Sequence, residues 1–373
     1  MKAKFNILHV ISRLPVGGVE NMLYKVVAAY DKERFCPVIC CIKEGGEVAD
    51  KLRISGYKVE ILNKMKGHGF DLGAVKGIYD LIKREKIHIL RTHQYHANLY
   101  GRLAGIFAGV PVIIPSFHNL YRSPDKPKFQ RRLFNYILSC FTDKLVAVSN
   151  AVASDMVRYD RVKPSKTAII YNGIEIENFN IELSKEEARK IFNMPANAII
   201  IGSVGRLTEQ KGHRFLIEAA NGLKNIHLAI AGDGPLRSEL KNTADQIGVN
   251  CYFTGMITPE KIPVFMRTLD IFCFPSLWEG FGSAIVEAMA AGLPVIATDI
   301  PPHKEVLGDT GIVVPAGDAD ALTKAVKMFT DDPLLMRSAA QKEKERVKMF
   351  SVDNTVKTYE KLFEEILKKK RLL

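Results

Sequence analysis

The apolar residues of this chain fall in short runs: "FNILHVI" at 5–11, "CPVICCI" at 36–42, "KVEIL" at 58–62, "IHILRTH" at 87–93, "PVIIPSFH" at 111–118 and "KLVAVS" at 144–149. Between them, 19–30, 46–56, 72–86 and 96–108 alternate apolar and polar residues with the period of a helix that buries one stripe. Continuous β-branched runs separated by helices of ~10–15 residues predict a parallel sheet covered on both faces. The second half repeats this logic with "AIIIGSVGRL" at 198–207, "HLAIAG" at 227–232, "CYFTG" at 251–255, "IFCFP" at 271–275, "PVIATD" at 294–299 and "GIVVP" at 311–315. In the join, Asn172-Gly173 reads as a turn, and Ser184 with Glu187 as a capping box. The pattern therefore predicts an α/β chain of two Rossmann-like, doubly wound domains, 1–175 and 176–355, facing a central cleft. A last helix over 356–373 crosses back to the first domain. In open sheets of this kind ligands sit at the carboxyl ends of strands, so motifs with chemistry should follow strands.

Composition narrows the class. A length of 373 residues exceeds one ordinary core, and 47% hydrophobic with 25% charged residues describes a globular chain. No apolar stretch reaches the ~18 residues a membrane helix needs. The first apolar run is broken by Ser12, Arg13 and Pro15 and lacks a small-residue cleavage site, which argues against a signal peptide. The six cysteines are scattered without a CxxC, which fits a reducing cytoplasm and argues against structural zinc. The net charge of +12 favours anionic partners: nucleic acid, an anionic membrane or anionic substrates. No RNP, helix-turn-helix or zinc-finger signature is present, so nucleic acid is not expected.

Three strand-end segments carry candidate chemistry. "WEGFGS", 278–283, follows "IFCFP" and opens a helix near 283. Free N–H groups and the helix dipole make an anion site there, and Gly280 and Gly282 let a ligand approach the backbone. Glu279 repels a phosphate, so it should accept from neutral donors such as sugar hydroxyls; Glu287, one turn into the helix, could accept from a ribose. Alone, the two acids read equally as a loop acid and a solvated helix acid. "GSVGRLTEQKGH", 202–213, places Arg206 and Lys211 at a strand end, where two fixed cations can neutralise a diphosphate and stabilise it as it leaves. "LPVGGVENML", 14–23, follows the first strand, and Gly17-Gly18 permits close approach. No GxGxxG occurs, which counts against NAD.

These motifs, with "VAVSNAV" at 146–152, "IIYNGIEIENF" at 169–179, "AGDGP" at 231–235, "FTGMI" at 253–257 and "PSLWEGFGSAIVEAMAAGLPVIAT" at 275–298, resemble the retaining glycosyltransferases of family 4 with the GT-B fold. The likeness spans nearly the whole chain and is tightest in the second half. It implies a nucleotide diphosphate sugar donor bound as substrate, with no separate cofactor and no metal. Arg206 and Lys211 then bind the diphosphate, Glu279 the donor-sugar hydroxyls, and the backbone of Gly280, Phe281, Gly282 and Ser283 the sugar and phosphate. Glu287 binds the ribose, and Gly17 and Gly18 meet donor phosphate and sugar. His118, in "PSFHN", matches the family's active-site histidine. Base recognition lies near Gly255, Met256 and Ile257; Pro259 stands where guanine-reading relatives can carry an acid, which favours a UDP-sugar, although Glu260 is adjacent. The sugar would be a hexose or N-acetylhexosamine. The acceptor, by resemblance to bacterial exopolysaccharide enzymes, would be a lipid-linked or growing glycan.

"RTHQYHAN" sets His93, Gln94, His96 and Asn98 after the fourth strand as candidate acceptor-binding residues; helix capping and packing account for them equally well. "DAD" at 318–320 reads as a helix cap rather than a metal site. "KPKFQRRLFNYILSCF", 126–141, with Lys126, Lys128, Arg131 and Arg132, reads as a basic amphipathic helix lying on an anionic membrane with the basic C-terminus, or as a solvated basic face over an ordinary core face. A cytoplasmic protein at the inner face of the cell membrane is the expectation. The competing readings are a nucleotide-sugar epimerase or hydrolase on the same scaffold, a GDP-sugar transferase, a dinucleotide oxidoreductase and a non-catalytic scaffold.

Overall fold

A computed structural model describes residues 3–65, 70–121 and 129–373. Lys126 and Lys128 of the basic stretch fall outside them. The chain divides into two compact units, Met1–Gly173 with Val352–Leu373, and Ile174–Ser351.

The first unit holds β1 (Phe5–Ile11), β2 (Phe35–Cys41), β3 (Lys58–Ile61), β4 (Ile89–His93), β5 (Val112–Phe117), β6 (Leu145–Ala147) and β7 (Thr167–Ile169) in one parallel sheet, ordered β3-β2-β1-β4-β5-β6-β7. The order reverses beside β1, the arrangement that opens a crevice at the strand ends. Along β1 the side chains divide by period two: Phe5, Ile7 and Ile11 enter one apolar cluster, Leu8 and Val10 another. Both faces are therefore buried, which is why the strand reads as one apolar run. The helix Val352–Lys369 lays Val356, Tyr359, Phe363, Ile366 and Leu367 into the first cluster. Its polar edge is tied as well, by Glu360 accepting from Asp31 N at 2.9 Å and by Glu364 pairing with Arg34 at 2.5 Å.

The second unit holds β8 (Ile199–Val204), β9 (Ile226–Ala231), β10 (Cys251–Gly255), β11 (Ile271–Phe274), β12 (Val295–Thr298) and β13 (Ile312–Val314), parallel and ordered β10-β9-β8-β11-β12-β13. Its entry is fixed by the capping box: Ser184 Oγ accepts from Glu187 N at 3.1 Å, and Glu187 Oε2 accepts from Ser184 N at 2.9 Å. Asp318 caps the helix Ala319–Asp331 by accepting from Ala321 N at 2.8 Å.

The structure departs from the pattern in three places, one of them the last helix, which runs Val352–Lys369 rather than 356–373. β7 is an edge strand with Thr167 and Ala168 only half-buried and Ile169 exposed, and it is not among the expected strands. The helix after β4 begins at Gln94, two residues earlier than its apolar spacing indicates.

Candidate active site

In the second unit the loops after β8, β9, β10 and β11 are stitched into one rim. Gly205 N donates to Ala231 O at 2.9 Å, Leu207 N to Asp233 O at 2.9 Å and Gly232 N to Gly255 O at 2.9 Å. Leu277 N donates to Gln210 O at 2.8 Å, and Gln210 Nε2 to Trp278 O at 2.9 Å. Glycines make this possible. A Cβ on Gly232 would strike Gly205 O, and one on Gly212 would strike Pro275 O.

On this rim the structure brings two predicted residues into contact. Lys211 Nζ lies 2.5 Å from Glu279 Oε1, with side-chain exposures of 19% and 11%. The same ammonium sits 4.8 Å from the centroid of the Phe274 ring. It is a largely desolvated cation held by a carboxylate on one side and an aromatic face on another. Arg206, on the same loop, is exposed. Gly280, Phe281 and Gly282 are buried and lead into the helix Ser283–Ala290, with Gly282 at φ +96 as its N-cap. Ser283 is the first helical residue, and Glu287 stands one turn further on, half-buried. Gly255 closes β10 at φ +73, followed by an exposed Met256 and a half-buried Ile257.

Sequence reasoning missed His303. Its ring is buried beside Gly282, whose added Cβ would lie 3.2 Å from His303 Cδ2. The Thr298 hydroxyl donates to Ser276 O at 2.5 Å. His303 Nδ1, 3.0 Å from that hydroxyl oxygen and 3.1 Å from Thr298 O, is therefore the protonated nitrogen, and Nε2 keeps its lone pair. Burial, and the nearby Lys211 charge, bring its pKa down to about 3. His213 is also buried and is lowered to about 3 by burial and Lys211. Neutral imidazoles thus underlie the rim without competing with Lys211 for an anion.

In the first unit, three histidines stand in a column at neighbouring strands. The His9 and His93 rings are stacked at 5.5 Å with Nδ1 and Nε2 3.2 Å apart, and His93 and His118 are stacked at 5.9 Å. All three are buried. Burial first, and then the buried Arg91 charge, push each below the usual imidazole range, His118 to about 4. Arg91 donates to Tyr30 Oη at 2.9 Å and Ser116 Oγ at 3.2 Å, and lies 3.5 Å from the Tyr359 ring centroid. His9 and Arg91 carried no signal in the sequence beyond a polar residue within an apolar strand.

The other first-unit candidates separate. Asn98 is buried; its amide accepts from Thr92 Oγ1 at 2.6 Å and donates to Ser116 O at 3.0 Å. His93 is the N-cap residue of the helix Gln94–Ala108, and His96 is exposed on its first turn. Gln94 holds φ +67 and donates to Glu20 Oε1 at 2.8 Å. That bond joins it to the segment after β1, where Gly17 precedes the helix Gly18–Ala29. A non-glycine residue in this conformation is strained, and such strain concentrates at functional sites. Among the described residues, no three His, Cys, Asp or Glu side chains converge as metal ligands.

Two parallel-sheet Rossmann-like units with a cationic, glycine-rich rim define a GT-B fold. The solved structure of HepE from Anabaena with UDP and glucose superimposes with a TM-score of 0.86, covering 97% of this chain and 100% of that one at 20% identity. The chain is a glycosyltransferase: residues 16–178 belong to Glycosyltransferase Family 4 and residues 184–346 to Glycosyl transferases group 1. It is similar to the Escherichia coli "UDP-Gal:alpha-D-GlcNAc-diphosphoundecaprenol alpha-1,3-galactosyltransferase", 28% identical over 89% of this chain and 90% of that protein. It is also similar to the putative glycosyltransferase EpsF of Bacillus subtilis, 29% identical over 79% of each.

Proposed function

We propose that this enzyme moves a hexose or N-acetylhexosamine from a UDP-sugar to a lipid-linked or growing glycan, with retention at the anomeric carbon and without a metal ion. The observation that carries the reading is the Lys211–Glu279 pair beside a glycine turn at a helix start. A cation, a hydroxyl acceptor and a glycine turn at a helix start match a diphosphate joined to a sugar. The names of the similar proteins support the donor base and the acceptor class: one bears UDP and glucose, and another acts on a diphosphoundecaprenol-linked sugar with UDP-Gal.

In this reading Arg206 and Lys211 neutralise the diphosphate, and the Gly280–Ser283 backbone donates to it and to the sugar. Glu279 accepts from sugar hydroxyls and Glu287 from the ribose; Gly255, Met256 and Ile257 border the base. Gly17 and Gly18 offer backbone to phosphate and sugar, and His118 serves as a neutral hydrogen-bonding group. The acceptor hydroxyl oxygen bonds to the anomeric carbon on the face from which UDP departs. The carbon–oxygen bond to the β-phosphate breaks with its electron pair on phosphate, and the hydroxyl proton passes to that oxygen. Lys211 is then shared between Glu279 and the growing negative charge, which is stabilisation realised mainly in the transition state. Gln94 and His96 are the accessible members of the candidate acceptor set. Work on a lipid-linked acceptor would place the enzyme at the inner face of the cell membrane.

Thermal unfolding with UDP, GDP, ADP and NAD tests this. A ligand at ~100 times its Kd stabilises by about 2.7 kcal/mol, a shift of several degrees. UDP alone should give it. A shift with GDP or ADP instead overturns the base assignment, and one with NAD alone, or with none, overturns the donor site. Steady release of free sugar without any acceptor would support a hydrolase in place of a transferase.

A further inference from the structure

One face of the first unit's sheet packs against the last helix through Ile7, Ile11, Ile89, Val112 and Ile114. Side chains two apart on a strand share a face. His9 on β1, Arg91 and His93 on β4, and Ser116 with His118 at the end of β5 therefore stand on that same face. Strand register sets them side by side: His9 is opposite Arg91, and His93 is opposite Ser116. β1 and β4 are also the pair at which the strand order reverses, the place where such sheets bind their ligands.

At the centre of this cluster lies a charge without a countercharge. Arg91 is fully buried, and a guanidinium keeps its proton in proteins. It donates only to neutral oxygens, Tyr30 Oη and Ser116 Oγ, and the Tyr359 ring of the last helix covers it at 3.5 Å. Among the described residues the titratable groups that act on Arg91 are Tyr30 and Tyr359, and neither is a carboxylate. Glu360, also on the last helix, acts on Tyr30 and accepts from Asp31 N at 2.9 Å. Packing alone does not call for such an arrangement, because burying a charge without an opposite one is costly and an apolar side chain would fill the same space.

Three imidazoles surround that charge. His93 stacks on His9 at 5.5 Å and on His118 at 5.9 Å, which fixes the planes of the rings. Both ring nitrogens of His118 are without a partner among the described residues, so they are open to a ligand's hydroxyl. A fixed positive charge in the same dry cluster opposes a second one on any of the three rings. Of the charged groups named, Arg91 and Glu360, only Arg91 acts on His118, where it adds to the effect of burial.

We propose that Arg91 is a positioning residue for His118: its charge and the His93 stack above it present the His118 ring in a fixed plane and uncharged, so that it exchanges hydrogen bonds with sugar hydroxyls and does not become a phosphate site. The consequence for transfer rests on the reading above that His118 meets the substrates. The electrostatic relation between Arg91 and His118 does not.

The test is NMR of the full chain carrying isotope-labelled histidine, read from pH 8 to 5, with the His118 signals assigned by their loss in His118→Gln. In the native chain the His118 ring should stay predominantly neutral across that range. Arg91→Gln keeps a donor for the neighbouring oxygens and drops the charge. It should raise the ratio of protonated to neutral His118 about tenfold at a given pH. Tyr30→Phe removes a bond from the same cluster and keeps the charge, so its ratio should match the native one. A merely structural Arg91 would move both variants alike. If Arg91→Gln does not fold, Arg91→Met takes its place, and the native titration also decides by itself: a His118 midpoint near 6.5 overturns the proposal. So does an unchanged ratio in a folded variant without the charge, or an equal rise in Tyr30→Phe. The thermal shift with UDP, read on the same samples, reports on the donor site of the second unit. Its absence from the native chain overturns the donor reading and leaves the His118 ratio to be judged separately.

Discussion

Lys211 Nζ and Glu279 Oε1 are bonded at 2.5 Å across two loops 68 residues apart in sequence. In the proposed reaction one serves the diphosphate and the other the sugar, so each sets the availability of the other. Replacing Glu279 by Ala frees Lys211 for phosphate. Transfer should then fall by ~10²–10³-fold in kcat/KM, while UDP binds as tightly as before or more tightly. Calorimetric titration with UDP beside the kinetics checks this; a parallel fall in UDP affinity would sink the division of roles.

Because the pair is in direct contact, the losses should not add. Lys211→Ala and Glu279→Ala should each be damaging, yet the double variant should be much less damaged than the product of the two. A complete cycle of four kcat/KM values reads this directly. Additive effects would mean that the two side chains act on separate steps.

Acid should destabilise the fold early. His9, His93, His118, His213 and His303 are all held below their ordinary value of 6.5 by burial. The unfolded chain therefore takes up protons between pH 6.5 and the lower folded values that the native state does not. Stability is full above 6.5 and is lost as pH falls through that window, at up to about 1.4 kcal/mol per unit for each such histidine. The unfolding midpoint measured from pH 8 to 5 should drop steeply below 6.5. A midpoint unchanged down to pH 5 would contradict neutral burial of these rings.

Local features were legible and long-range ones were not. The capping box at Ser184 and Glu187, the Asp318 cap and the glycine turn before Ser283 depend on residues a few positions apart, and each is found where the spacing indicates. Twelve apolar runs became strands, because strands buried on both faces leave an unbroken apolar trace. β7, with no fully buried residue, left no such trace. Gln94, where that helix begins, bonds Glu20, 74 residues away, and no local pattern records that bond. His9 and His93 are 84 residues apart, so their column exists only once β1 and β4 pair. The polarity of the helix Phe129–Cys140, which buries Asn135, Leu138 and Ser139 and exposes Phe134 and Ile137, was the hardest to read. Its period marks an amphipathic helix, but which face is inward depends on Asp160 and Arg102 on other elements.

Gly282 is a position where a single methyl group should matter twice. Its φ of +96 disfavours any L side chain, and an added Cβ would press to 3.2 Å from the buried His303 ring. Gly292 has a similar need, φ +71, with nothing within 4 Å of its Cβ. Gly292→Ala should therefore cost only the backbone strain, about 1–2 kcal/mol. Gly282→Ala should cost more and also weaken UDP-sugar binding, because the anion-binding turn must shift. Thermal midpoints and donor titrations of the two variants separate strain from the clash; equal behaviour would remove His303 as a support of the turn.

Glu343 should prove a stability liability that can be removed. Its side chain is fully buried, Oε1 accepts from Val295 N at 3.2 Å, and Oε2 has no partner among the described residues. Burial pushes its pKa from 4.5 up to about 9, with the Val295 bond pulling the other way. An acid raised in the folded state keeps its proton while the unfolded chain releases one. The fold is therefore undisturbed by Glu343 below pH 4.5 and loses stability as pH rises from there towards 9. Gln has nearly the same shape, can still accept from Val295 N, and never ionises. Glu343→Gln should thus stabilise the protein at pH 7.5 by on the order of 1–3 kcal/mol, some degrees in midpoint, and be neutral near pH 4.5. Paired unfolding curves at the two pH values decide it, since a packing effect of the amide would shift both equally and only a titrating carboxyl makes the gain grow with pH.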